Sequence, residues 1–225
     1  MAKGSITTLK TSDGHTLDAY IARPTGTPKG GLVIIQEIFG LNDHMKHVGD
    51  EYAAEGYLCV VPAMFDRIQK DLVIGYTEFQ AGRDAVGKLT EPMILADLAA
   101  CVKAASEGGK VAVTGYCWGG AIAYLAASKV DGVAGAVAYY GTRIIQYSES
   151  MLPKVPVQYH FGANDKSIPP EAITKIKSAH PVGSFYVYEG ADHGFTCNER
   201  PTYNEASKTL AKQRTLDFLK DVMEN

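Results

Sequence analysis

Three short apolar runs limit most strongly what this chain can become: Gly-Leu-Val-Ile-Ile at 31–35, Leu-Cys-Val-Val-Pro at 58–62 and Lys-Val-Ala-Val-Thr at 110–114. Each has the length of a strand and shows no polar alternation, the pattern of a strand buried on both faces in a parallel sheet. Helix-length amphipathic stretches near 42–55, 91–107, 119–128 and 204–222 separate or follow them, and further apolar strands fall near 133–139, 156–161 and 184–189. Strand and helix in alternation predict an α/β chain with a mainly parallel, doubly wound sheet and helices on both faces. Residues 16–23 instead alternate apolar and polar side chains behind Ser12-Asp13-Gly14, which predicts an antiparallel hairpin arm. The 66–90 stretch has only a weak helical pattern around 76–86, and its boundaries stay open.

With 225 residues, one domain over 1–225 is expected, because α/β folds commonly build roughly 200–250 residues around one core. A net charge of -3 offers no basic field for nucleic acid, and no apolar run reaches the roughly 18 residues of a membrane span. The first residues, Met-Ala-Lys-Gly-Ser-Ile-Thr, lack the apolar stretch of a secretory signal, so the cytoplasm is the expected compartment. The cysteines at 59, 101, 117 and 197 follow no metal-ligand spacing and suit reduced thiols. His44 and His47 share one helical face, but no third ligand stands near them in sequence.

In a doubly wound sheet, ligands bind beyond the carboxyl ends of the strands, so residues that follow each apolar run are the first candidates for chemistry. Gly115-Tyr116-Cys117-Trp118-Gly119 follows the 110–114 strand and precedes an Ala-rich helix, the setting of a nucleophile elbow with cysteine in place of serine. That setting is the α/β-hydrolase fold's. The glycines allow a tight turn, and a thiol at the first turn of a helix faces unpaired N–H groups that favour the thiolate. The plainer alternative is that Cys117 is a small core residue.

His193 follows the 184–189 strand in Ala-Asp-His-Gly-Phe, where a loop can carry an imidazole to the thiol as a general base. Asp165 ends Gly162-Ala163-Asn164-Asp165 after another strand and can fix the histidine tautomer; the order nucleophile, acid, histidine is that of the fold. Asp192 is the rival acid, poorly placed beside His193 in sequence. Glu37 closes the first buried run and reads more readily as a solvated loop residue than as a functional carboxylate from position alone. The amides of Ile38 and Trp118 are the candidate oxyanion-hole donors. Tyr139 and Tyr140 end a strand at the same edge.

Together, Asp13-Gly14-His15-Thr16, Gln36-Glu37-Ile38-Phe39-Gly40, Gly115-Tyr116-Cys117-Trp118-Gly119-Gly120, Tyr139-Tyr140-Gly141 and Arg214-Thr215-Leu216-Asp217-Phe218-Leu219 resemble the dienelactone hydrolases, or carboxymethylenebutenolidases, nearly end to end. The resemblance implies a Cys117–His193–Asp165 triad, a Glu37 that helps control thiol ionisation, a small-molecule ester or lactone substrate, no cofactor and a monomer. Members that act on dienelactone hold its carboxylate with two arginines. Here the position four residues after His193 is Cys197, and the other falls near Phe79, so Arg83 and Arg200 are the candidate replacements. With Phe39, Tyr140 and Phe195 they form the expected substrate contacts. A general esterase or thioesterase, or a thiol sensor that never turns over, stays open from sequence.

Overall fold

The computed structural model describes residues 4–224; the one-domain expectation at 1–3 and 225 lies outside the described residues. The chain builds one eight-stranded sheet in the order β1-β2-β4-β3-β5-β6-β7-β8. These strands are β1 (Ser5–Lys10), β2 (Thr16–Ala22), β3 (Gly31–Ile35), β4 (Leu58–Pro62), β5 (Val111–Tyr116), β6 (Val133–Tyr139), β7 (Val157–Gly162) and β8 (Ser184–Tyr188). From β4 to β8 all pairings are parallel, whereas β2 pairs antiparallel with both β1 and β4. The three runs that dominate the sequence become β4, β3 and β5 side by side, each wholly buried. Each enclosed Val, Leu or Ile contributes about 1.5–3 kcal/mol, which makes this trio the spine of the fold.

The helices are α1 (Asp43–Ala54), α2 (Phe79–Gly87), α3 (Glu91–Ala105), α4 (Trp118–Lys129), α5 (Ile144–Ser148), α6 (Pro170–Ala179) and α7 (Glu205–Glu224). Asn42 caps α1 by accepting the Met45 amide at 3.0 Å, and proline near the start of α3 sets its entry angle. α4 is buried along nearly its whole length against β5 and β6, which explains its Ala-rich composition: small side chains let helix and sheet approach. α7 covers the other side of β6, where Gly135 leaves room for Phe218 and Val222. α1 and α7 are joined by Lys208–Glu51 and Lys212–Glu55 ion pairs at 3.1 and 3.0 Å.

Three elements extend the sequence reading. The hairpin arm has a partner, β1, whose exposed side chains gave no buried pattern. α6 fills the stretch between β7 and β8, and α5 is a single short turn. The open 66–90 stretch resolves into a 3₁₀ turn at Met64–Arg67, an irregular loop and α2. That loop folds onto the β3 end: Ile74 N–H donates to the Phe39 carbonyl at 2.9 Å, and the Tyr76 ring meets Phe39 edge-on at 4.9 Å. The stretch hardest to read therefore forms a wall of the site.

Candidate active site

β5 ends at Tyr116 and α4 begins at Trp118, so the chain reverses at one residue, Cys117, whose φ is 56° and ψ −119°. A non-glycine residue rarely occupies this left-handed region, and strain of this kind persists only where the surroundings hold it. The Cys117 N–H donates to the Tyr139 carbonyl at 3.0 Å, and the Cys117 carbonyl accepts from Gly120 at 3.0 Å. The turn also requires its glycines. A Cβ on Gly115 would sit 1.9 Å from the Gly119 carbonyl oxygen, and one on Gly119 would sit 2.5 Å from the carbonyls of Ile35 and Gln36. β3, β5 and α4 thus meet at backbone distance, and the thiol stands at the carboxyl edge of the sheet.

Asp165 follows β7 and is buried, accepting the Ser167 amide at 2.8 Å on one oxygen. Its other oxygen meets His193 Nδ1 at 2.7 Å, which leaves Nε2 for Cys117. Burial on its own disfavours the imidazolium, but the charge and hydrogen bond of Cys117, with those of Asp165, overcome it and push His193 up to about 10. The rival Asp192 turns back to accept the His193 backbone N–H at 2.6 Å, so it shapes the loop rather than orienting the ring.

Glu37, at the end of β3, is buried at 3% exposure and pairs with Arg200 at 3.2 Å. Burial raises its pKa, while Arg200, His193 and Tyr140 oppose that rise. Gln36 fixes the loop that carries it: its amide nitrogen donates to the Glu37 carbonyl at 3.2 Å and its oxygen accepts the Met64 amide at 3.1 Å. Arg200 is itself buried, with its guanidinium 5.7 Å from the Phe39 ring centroid. The Cys197 thiol donates to the Tyr76 hydroxyl at 3.5 Å, and all four cysteines are free.

A cavity of about 420 Å³ opens over Cys117 and His193. The sequence candidates Ile38, Phe39, Arg83, Trp118 and Arg200 line it, and so do Phe79 and Arg143. Tyr140 and Phe195 were expected to touch substrate, yet both are wholly buried behind the histidine. The Tyr140 ring lies edge-on to His193 at 5.0 Å and to Phe195 at 5.4 Å, with its hydroxyl 2.6 Å from Thr196 Oγ1. Both pack behind the imidazole, and Tyr140 also bears on Glu37. Arg143 was missed because it follows Tyr139-Tyr140-Gly141-Thr142 in an unpatterned loop, although its distance of only four residues from a strand end at the catalytic edge was a usable signal. Among the described residues, no group of three or more His, Cys, Asp or Glu is placed to hold a metal, and no helix is long and apolar enough to cross a membrane.

A mainly parallel eight-stranded sheet with antiparallel leading strands and a turn of this kind after β5 defines an α/β-hydrolase. The chain belongs to the dienelactone hydrolase family, whose model matches residues 17–223. It is 32% identical over 227 residues to a carboxymethylenebutenolidase of Pseudomonas putida, covering 94% of each chain. A solved Klebsiella pneumoniae structure, whose name places it among the dienelactone hydrolases, aligns with a TM-score of 0.80 at 29% identity, over 95% of this chain and 98% of that one. A Pyrococcus furiosus esterase shares the fold alone, with a TM-score of 0.73 at 17% identity over 98% and 93%. The protein is a dienelactone hydrolase-type hydrolase.

Proposed function

We propose that the chain hydrolyses a carboxylic ester or lactone through a covalent Cys117 acyl-enzyme, using the Cys117–His193–Asp165 triad without a cofactor. The observation that carries this reading is the strained thiol at φ 56° beside an imidazole held at 2.7 Å by a buried carboxylate, all at the base of one cavity. The raised His193 pKa favours a charged ring beside Cys117. The thiolate attacks the acyl carbon, and the carbonyl π pair moves onto oxygen. That oxyanion is received by the N–H groups of Ile38, which lines the cavity, and Trp118, whose amide at the start of α4 belongs to those a helix leaves unpaired.

Collapse of the tetrahedral species breaks the acyl–oxygen bond, and His193 Nε2–H protonates the departing alkoxide. The neutral ring then takes a proton from water, whose oxygen attacks the thioester and releases the acid and the thiolate. Asp165 keeps Nδ1 protonated throughout. Glu37 is paired with Arg200, which opposes the rise that burial imposes on its pKa, and a substrate that disturbs the pair frees the carboxyl group to act on the thiol. The four buried free cysteines suit a reducing compartment, and the reading is of a cytoplasmic monomer. A stoichiometric sensor has no use for the Asp165-held histidine, since that base serves deacylation.

The test is kcat/KM for dienelactone and for a neutral aryl ester of similar size in the wild type and in Cys117→Ala. The expected result is turnover that falls by about 10,000-fold or more in the variant. Turnover that survives the substitution contradicts the reading.

A further inference from the structure

Gln36 follows the last residue of β3 and is wholly buried, yet no proposed bond-making step uses it. A buried amide is retained where its hydrogen bonds are made, and both of its ends are engaged. Its Oε1 accepts the Met64 N–H at 3.1 Å and its Nε2 donates to the Glu37 carbonyl at 3.2 Å. A backbone N–H can only donate and a carbonyl can only accept, so these partners leave one orientation for the amide and require both its donor and its acceptor. Met64 opens the 3₁₀ turn that follows β4, so Gln36 ties the end of one central strand to the end of its neighbour.

The Glu37 carbonyl belongs to the same peptide unit as the Ile38 N–H. Among the described residues no peptide bond is cis, and in a planar trans unit the C=O and N–H point in opposite directions. Holding the carbonyl on Gln36 therefore fixes where the Ile38 N–H points, and Ile38 lines the cavity over Cys117. The main chain of Gln36 meets the other donor. A Cβ on Gly119 would sit 2.5 Å from the Gln36 carbonyl oxygen, so the first turn of α4, which begins at Trp118, lies directly against it. We propose that, on the reading of Cys117 as the nucleophile, Gln36 is the positioning residue of the oxyanion hole: its amide aims the Ile38 N–H at the developing oxyanion and keeps it in register with the Trp118 N–H. A donor already aimed needs no reorganisation when the charge appears, so the gain belongs to the transition state. The bond to the Glu37 carbonyl also polarises that peptide and strengthens its N–H as a donor. Gln36 itself forms no bond with substrate and transfers no proton.

The experiment measures kcat and KM for 4-nitrophenyl acetate, and the rate at which iodoacetamide alkylates Cys117, in the wild type, Gln36→Met and Gln36→Asn, with Cys117→Ala as the blank. Alkylation displaces iodide from a saturated carbon and develops no oxyanion, so it reports the thiol and its neighbours without the hole. Gln36→Met keeps the length of the side chain and loses both bonds. Its kcat should fall about 10- to 100-fold with KM within about threefold, while alkylation stays within about twofold of wild type. Gln36→Asn keeps both groups but not their reach, and should show the same split in a milder form, which carries the test if the methionine variant does not fold.

A second readout is 4-nitrophenyl thionoacetate, whose sulfur accepts hydrogen bonds weakly; it should lose less than the oxygen ester in both variants. Turnover and alkylation that fall together would make Gln36 a support of the thiol or of the fold and overturn the proposal. Cys117-dependent turnover that both Gln36 variants leave intact would sink the proposal alone. Turnover that survives Cys117→Ala would sink the nucleophile reading, and the proposal with it.

Discussion

Two histidines lie near the same edge of the sheet and end in opposite states. His160, in β7, is wholly enclosed and bonded on both nitrogens, to the Tyr188 hydroxyl at 2.7 Å and the Gln158 amide oxygen at 2.8 Å. Burial and the nearby Arg214 push its pKa down to about 3, so it is a neutral packing group. His193 is also largely covered, at 16% side-chain exposure, but its partners are the Asp165 carboxylate and the Cys117 thiol, and it is pushed up to about 10. Enclosure drives both rings toward neutrality; only a negative neighbour reverses the result. What separates the two imidazoles is the charge of their partners, since both are hydrogen-bonded.

Asp165→Asn breaks this contrast most severely. Without the carboxylate, His193 should move toward the His160 state, its ring pKa falling on NMR titration and kcat/KM falling about 1,000- to 10,000-fold while the fold stands. An unaltered ring pKa would show that Asp165 is only a turn residue. The elbow supplies the other half of the contrast, since it brings the thiol to His193. Gly115→Ala drives a methyl into the Gly119 carbonyl and should cost about 3 kcal/mol or more in denaturant unfolding.

The pH dependence of stability sharpens the comparison further. His160 has a folded pKa below its ordinary 6.5, so its contribution is complete above 6.5 and is lost as the pH falls toward about 3. His193 has a folded pKa above 6.5, so its contribution is complete below 6.5 and is lost as the pH rises through about 10. In thermal unfolding, His160→Gln should therefore flatten the acid limb and His193→Gln the alkaline limb, each by a few kcal/mol. Exchanged limbs would invert the assignment. The smallest effect is on activity: His160→Gln should cost about 1–3 kcal/mol of stability, because it strands buried partners, yet leave kcat/KM within about threefold.

The same contrast explains what was legible in the sequence. β3, β4 and β5 were plain because both-face burial leaves no polar alternation, and the elbow was plain because a strained turn needs its glycines. β1 was not placed, since its side chains are exposed, and α6 begins at Pro169-Pro170 with only Ala172 and Ile176 buried. At the site, Cys117, His193 and Asp165 were each readable from a position after a strand. The Glu37–Arg200 pair was not, because 163 residues separate its members and only the tertiary fold joins them. Tyr140 and Phe195 were placed at the right edge of the sheet but on the wrong side of the histidine, a distinction set by packing depth. Arg143 stood in a loop without pattern, and loops carry charge for many reasons.

The central claim is that Cys117 carries the acyl group, and intact-protein mass spectrometry of samples quenched during turnover of 4-nitrophenyl acetate, followed by peptide mapping, tests it most directly. The account predicts one acetyl group on the peptide containing Cys117, accumulating further in His193→Ala pulsed with excess ester, where no base remains for deacylation. Turnover with no adduct at Cys117, or with the acetyl group on another residue, would contradict it.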